Sequence, residues 1–207
     1  MLGDGQKMPF SDFIYSQKGN HSYMDGLPCG SMSHKASDTG TPSEAPEMVF
    51  MMGLPAAGKT TVAEMAYEAT HNFIDCDRVK ESHEDYDPKN PQALYAWSKG
   101  VVADQLEALF QNPTNTVYDS CGGTPAKMIG LMDQARSAGM KVTLKFVVVD
   151  LQTSLARNER RDRNVPVEIV VKKATQVQAA FDQIKHHADQ VFEVENYYEN
   201  PSMDNTL

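Results

Sequence analysis

Apolar and polar positions through the middle of the chain alternate between two rhythms. Residues 48–52, Met-Val-Phe-Met-Met, form a short unbroken apolar run, the pattern of a strand covered on both faces. A helix follows through Val62, Ala63 and Met65, then a brief second strand at residues 72–75. Leu94, Trp97, Val101, Leu106, Leu109 and Phe110 share one helical stripe, with Asn90 as a candidate cap and Pro91 in the first turn. A third strand is expected at residues 116–119; Met128, Leu131, Met132 and Ala135 mark the next helix, and Gly139 its stop. Residues 142–149 make the fourth and strongest strand, 166–184 another helix, and 191–194 a fifth strand. Strands separated by helices predict a three-layer α/β/α fold around a mostly parallel sheet of five strands. In such sheets ligands bind at the carboxyl ends of the strands.

The two ends lack either rhythm. Residues 1–46 are rich in Gly, Ser, Asp, Thr and His and predict a flexible, disordered tail, while residues 197–207 read as a short C-terminal tail. The domain is therefore expected at 47–196. Phe10, Phe13, Ile14 and Tyr15 are the N-terminal tail's one apolar cluster, open to docking on the core or on a partner. Mean hydropathy is −0.48 although 41% of residues are apolar, so polar tails dilute an ordinary core. No apolar run is long enough to span a membrane or serve as a secretion signal. Three cysteines without a C-x-x-C pair fit a reducing compartment, so a cytoplasmic protein with no membrane partner is expected. A net charge of −9 argues against extended coating of nucleic acid and leaves open the recognition of a single nucleic-acid end.

The chemistry concentrates at the ends of the predicted strands. Gly53-Leu54-Pro55-Ala56-Ala57-Gly58-Lys59-Thr60, followed by Thr61, matches the Walker A spacing and sits between a buried strand and a helix. The glycines let the backbone curl so that N–H groups face phosphate oxygens, and the helix adds its positive end. Lys59 neutralises the β and γ phosphates and Thr60 offers a hydroxyl to Mg²⁺, so ATP and Mg²⁺ are the expected cofactors. Asp119, at the end of the third strand, can hold the metal or its water; a turn or cap residue is the plainer reading.

Asp75-Cys76-Asp77-Arg78 follows the second strand, where a carboxylate can take the proton of an incoming hydroxyl. Asp75 and Asp77 lie two apart, so only one of them need face the cleft. Asp75, Arg78 and Lys80 are candidates for holding the acceptor, a small molecule or a nucleic-acid end. Arg157, Arg160, Arg161 and Arg163 fall within seven residues after the fourth strand. They read either as a mobile lid over the transferring phosphoryl group or as an exposed basic helix end balanced by Glu159 and Asp162.

Taken together, the loop at 53–60, Ile74-Asp75-Cys76-Asp77, Asp119, Arg157-Asn158, Arg161 and Val165-Pro166 resemble the zeta-toxin and polynucleotide-kinase branch of the P-loop kinases, over about residues 47–196. The resemblance implies that Asp77 is the general base, that Asp119 lies by the metal, and that Arg157 and Arg161 contact the nucleotide phosphates. It also implies transfer of the ATP γ-phosphate to a polynucleotide 5′-hydroxyl, with Lys80 on an acceptor phosphate, or to a small nucleotide or nucleotide sugar. The segment His83-Glu84-Asp85-Tyr86 only loosely echoes the family's His-Pro segment, and Cys121-Gly122-Gly123 matches neither branch. The competing reading is a nucleotide-binding switch or interaction module with weak ATPase activity, for which the N-terminal tail is the working surface.

Overall fold

The structure, a computed structural model, describes residues 6–9, 45–161 and 165–197. In chain order its elements are β1 (Gln6–Pro9), β2 (Glu47–Gly53), α1 (Lys59–Tyr67), β3 (Asn72–Asp75), α2 (Cys76–Glu81), α3 (Tyr95–Gln111), β4 (Thr116–Asp119), α4 (Pro125–Ser137), β5 (Lys141–Val148), α5 (Leu151–Glu159), α6 (Val167–Ile184) and β6 (Gln190–Glu195). The strands form one parallel sheet in the order β1-β6-β5-β2-β4-β3. This is the parallel α/β architecture that the alternation of strands and helices predicts. No helix among the described residues is long and apolar enough to cross a membrane.

The unbroken apolar run of β2 follows from its central place. Met48, Phe50 and Met52 pack with residues of α3, α4 and α6, whereas Val49 and Met51 pack with Val62, Ala63 and Tyr67 of α1. A strand covered on both faces has no polar side to alternate with.

Two expectations need correction. The sheet has six strands rather than five, because Gln6–Pro9 pairs in parallel with the β6 edge, Pro9 opposite Glu195. Gln-Lys-Met-Pro carries no strand pattern of its own; backbone pairing with β6 and the packing of Met8 against the core cluster of Val49 and Met51 hold it instead. The apolar cluster at Phe10, Phe13, Ile14 and Tyr15 lies outside the described residues, as does Arg163. The second correction concerns α3, whose buried stripe runs through Ser98, Val102, Leu106 and Leu109. Trp97, 40% exposed, faces outward with its ring 4.4 Å from that of His83, and Leu94 belongs to a preceding 3₁₀ turn.

Within the strongest strand, β5, the apolar pattern conceals a charge. Lys145 is 1% exposed, and its Nζ lies 3.3 Å from the centre of the Phe192 ring. Burial outweighs the attraction of Glu47 and pulls the ammonium pKa from 10.5 down to about 7. Between about 7 and 10.5 the unfolded chain then holds a proton that the folded chain lacks, so this residue makes stability rise with pH across that window. Lys145→Met is expected to flatten the rise. Urea midpoints of the two proteins at about pH 7 and pH 9 measure it, and an undiminished difference in the variant would assign the titration to another group.

Candidate active site

The phosphate loop begins where β2 runs out of partners. At Gly53 φ is 146°, and a Cβ there would stand 2.5 Å from the Val147 carbonyl oxygen of β5, so the strand can leave the sheet at this point only as glycine. Gly58 closes the loop with φ 86°, and its missing Cβ leaves room for the Asn196 amide. The loop carbonyls are held from outside: Pro55 O accepts from Ser154 Oγ at 2.7 Å and Ala57 O from Asn196 Nδ2 at 2.8 Å. Lys59 Nζ donates to Leu54 O at 2.9 Å and Gly53 O at 3.3 Å, bridging the mouth that a polyphosphate would enter. The first residue of α1 is Lys59, so the positive end of that helix faces the loop. Thr61 is exposed on the helix beside it.

Strand register supplies the carboxylates. Met51 of β2 pairs with Asp119 of β4, and Asp119 pairs with Asp75 of β3, so both acids stand at one level beside the loop. Thr60 Oγ1 donates to Asp119 Oδ2 at 2.8 Å. Burial raises the Asp119 pKa although Lys59 and the Thr60 bond oppose it. Burial, and then the Asp119 charge, raise Asp75 to about 6. Asp75 Oδ1 also accepts the Asp77 N–H at 2.8 Å and so caps α2. Asp77 stands in the first turn of α2, with Oδ1 3.1 Å from Nζ of the buried Lys80.

Lys59, Thr60, Asp119, Asp75, Asp77 and Lys80 are thus brought to one end of the sheet. Arg78 turns toward α1, where it donates to Glu64 Oε1 at 2.5 Å and lies 4.2 Å over the Phe73 ring. On the other side of the loop, Arg157 of α5 donates to the Asn196 carbonyl at 2.8 Å, and Arg161 stands exposed just past the helix. Asn158 bonds both the N–H and the C=O of Val165, joining the two ends of the arginine segment. Tyr118, Ser120, Cys121, Gly122 and Lys127 line a hollow beyond β4.

Sequence reasoning missed Ser154 and Asn196. A serine on a helix and an asparagine after a strand are ordinary, and only the folded chain shows both touching the loop.

These residues fit a nucleotide with its metal: an N–H-lined loop, a buried lysine at its mouth, and two close carboxylates whose repulsion a divalent cation would relieve. The fold and this site define the class, a P-loop kinase domain. The family model described as zeta toxin matches residues 32–205, and the chain belongs to that family. Among solved structures, a chain from the PezAT chromosomal toxin-antitoxin system of the human pathogen Streptococcus pneumoniae is similar, with a TM-score of 0.60 and 13% identity over 83% of this chain and 78% of that one. The AvrRxo1-ORF1:AvrRxo1-ORF2 complex with sulphate ions gives 0.59 and 16%, and its native form 0.56 and 17%, each over 69% of this chain. The chain spans 50% of the length of those two AvrRxo1 chains. At such identities the likeness is one of fold. A search of curated proteins finds no match.

The paired acids carry a cost that can be measured. Asp75 has a folded pKa of about 6 against an ordinary 3.8, so its burial weakens the fold increasingly as pH rises through that interval and fully above it. Asp75→Asn keeps a cap for α2 and removes the charge. It should stabilise the protein by on the order of 1–3 kcal/mol at neutral pH and much less near pH 4. Urea unfolding at both pH values tests this, and equal gains at the two would reject charge as the cause.

Proposed function

We propose that this protein is an ATP-dependent kinase that transfers the γ-phosphoryl group to a hydroxyl acceptor, a polynucleotide 5′-hydroxyl or a small nucleotide or nucleotide sugar. One observation carries the reading: Thr60 meets Asp119 at 2.8 Å beside the buried Lys59, while Asp75 and Asp77 stand at the neighbouring strand end. Donors suited to a polyphosphate and acceptors suited to a proton thus stand at the ends of adjacent strands.

In this reading residues 53–58, with Lys59, Thr60 and Thr61, hold the nucleotide phosphates. Lys59 exchanges its bonds to Gly53 O and Leu54 O for the β and γ oxygens. Thr60 and Asp119 would hold Mg²⁺, which when bound would neutralise phosphate charge. Asp77 takes the proton from the acceptor hydroxyl, and Lys80, 3.1 Å away, aims its carboxylate and offers a cation to an acceptor phosphate. Asp75 fixes the start of α2, and Arg78 ties α2 to α1 through Glu64. Arg161, joined by Arg157, stabilises charge on the transferring group. The pneumococcal structure comes from a toxin-antitoxin system, and a protein partner that controls the kinase belongs to the same proposal.

Asp77→Asn should leave ATP affinity nearly unchanged and lower transfer by roughly 10²-fold or more. Labelled ATP offered with 5′-hydroxyl oligonucleotides, nucleoside 3′-monophosphates, nucleosides and nucleotide sugars identifies the acceptor and measures the loss. If nothing is labelled and basal ATP hydrolysis ignores Asp77→Asn, a nucleotide-binding switch becomes the better account. Arg161→Ala should reduce the rate more than it weakens ATP binding, and Arg160→Ala much less. Equal losses in steady-state kinetics for the two would return the segment to an exposed basic helix end.

A further inference from the structure

A phosphate loop works through its backbone, and backbone direction is not free. In a trans peptide the C=O and the following N–H point opposite ways, and no peptide bond among the described residues is cis. Whatever holds the carbonyl of one residue therefore sets the direction of the next residue's N–H. Pro55 O is held by Ser154 Oγ at 2.7 Å on the outer side of the loop, which aims the Ala56 N–H at the cleft. Ala57 O is held by Asn196 Nδ2 at 2.8 Å, which aims the Gly58 N–H the same way. Pro55 has no N–H to offer, and the Ala57 N–H is used within the loop on Leu54 O at 3.2 Å. The two donors left to residues 55–58 are thus the two whose directions Ser154 and Asn196 set.

Three further observations show that these contacts are built. Ser154 is wholly buried, and Asn196 is 6% exposed with its main-chain N–H on Val148 O at 3.0 Å, so neither side chain is free to wander. Asn196 Oδ1 is buried without a hydrogen-bond partner, an unfavourable arrangement that the amide accepts while its nitrogen stays on Ala57 O. Arg157, one turn beyond Ser154 on the same side of α5, donates to the Asn196 carbonyl at 2.8 Å and closes a ring of contacts around the loop's outer face.

We propose that Ser154 and Asn196 are positioning residues of the phosphate loop, which hold its N–H groups toward the cleft and bind it to the arginine-bearing helix α5. The inference rests on the nucleotide-binding reading of the loop. It also implies coupling: phosphate oxygens on the Ala56 and Gly58 N–H groups polarise the same peptides and strengthen the bonds from Ser154 and Asn196. Nucleotide binding then orders α5, and by reciprocity loosening α5 weakens nucleotide binding.

The test uses the full chain and a nonhydrolysable Mg-ATP analogue. Ser154→Ala removes one hydroxyl at nearly constant shape, and Asn196→Asp sets a carboxylate oxygen against the Ala57 carbonyl. Each should weaken analogue binding in calorimetry by about tenfold, the scale of one lost hydrogen bond. Gln152→Ala, on the exposed side of α5, should bind as the wild type does. Hydrogen exchange should show the analogue protecting α5 amides in the wild type and less so in Ser154→Ala. If Ser154→Ala binds with wild-type affinity, or α5 protection is unchanged by it, the inference is overturned, whatever the variant's melting temperature. Should Asn196→Asp fail to fold, Ser154→Ala decides alone. A wild type that binds no analogue would overturn the nucleotide-binding reading itself, and this inference with it.

Discussion

The planarity of the peptide bond is the constraint around which this site is arranged. A loop that turns its N–H groups inward must turn carbonyls outward, and outward carbonyls in a buried place need donors. Here Ser154 and Asn196 supply them. The sheet order decides where those donors come from. β5 lies beside β2 and leads into α5 with Ser154, and β6 lies next to β5 and ends at Asn196. On the other side of β2, β4 and β3 deliver Asp119 and Asp75. The central strand thus separates a carbonyl-holding half from a carboxylate-bearing half, and the loop stands where they meet.

The carboxylate half is held under electrostatic tension. Asp75 and Asp119 stand in register on adjacent strands, and both ionise less readily than ordinary acids. Lys59 attracts Asp119, while Lys80 bonds the neighbouring Asp77, so the site contains cations without cancelling the repulsion between the first two acids. Such an arrangement favours a visiting cation and weakens the fold without one, the usual trade between stability and function at a site. In a chain of net charge −9 this focus of negative charge is a local feature, set by two strand ends rather than by overall composition.

How far the sequence could be read depends on which interactions carry each feature. Gly53, Gly58, Lys59 and Thr60 were legible because each is required by local backbone geometry or direct chemistry at fixed spacing. β2 was legible because burial on both faces leaves an unbroken apolar run, and β3 to β6 because short apolar stretches recur between helical patterns. β1 was not, since four residues held by edge pairing need no apolar pattern. The face of α3 was misread because its stripe includes Ser98, wholly buried with its hydroxyl on Tyr95 O, while Trp97 rests on His83 outside the core. Ser154, Asn196 and Lys145 act through contacts made across the fold, with partners 99, 139 and 47 positions away for Pro55, Ala57 and Phe192. No local pattern can announce them.

The same physics explains why the nucleotide side could be recognised and the acceptor could not. A nest of backbone N–H groups recognises phosphate and little else, so many kinases share it and its motif is portable. An acceptor is recognised by side chains. Those available lie on the short helix α2, on the outward face of α3 with Tyr95 and Trp97, and around the hollow formed by Tyr118, Ser120, Cys121, Gly122 and Lys127. Past Asp119 the chain keeps one more bond to β2, from the Ser120 N–H to Met51 O at 3.3 Å, and then turns through Gly122, where φ is 66° and a Cβ would meet Met52. The phosphate loop is thus fixed by backbone geometry at a known spacing, whereas no comparable backbone rule marks an acceptor.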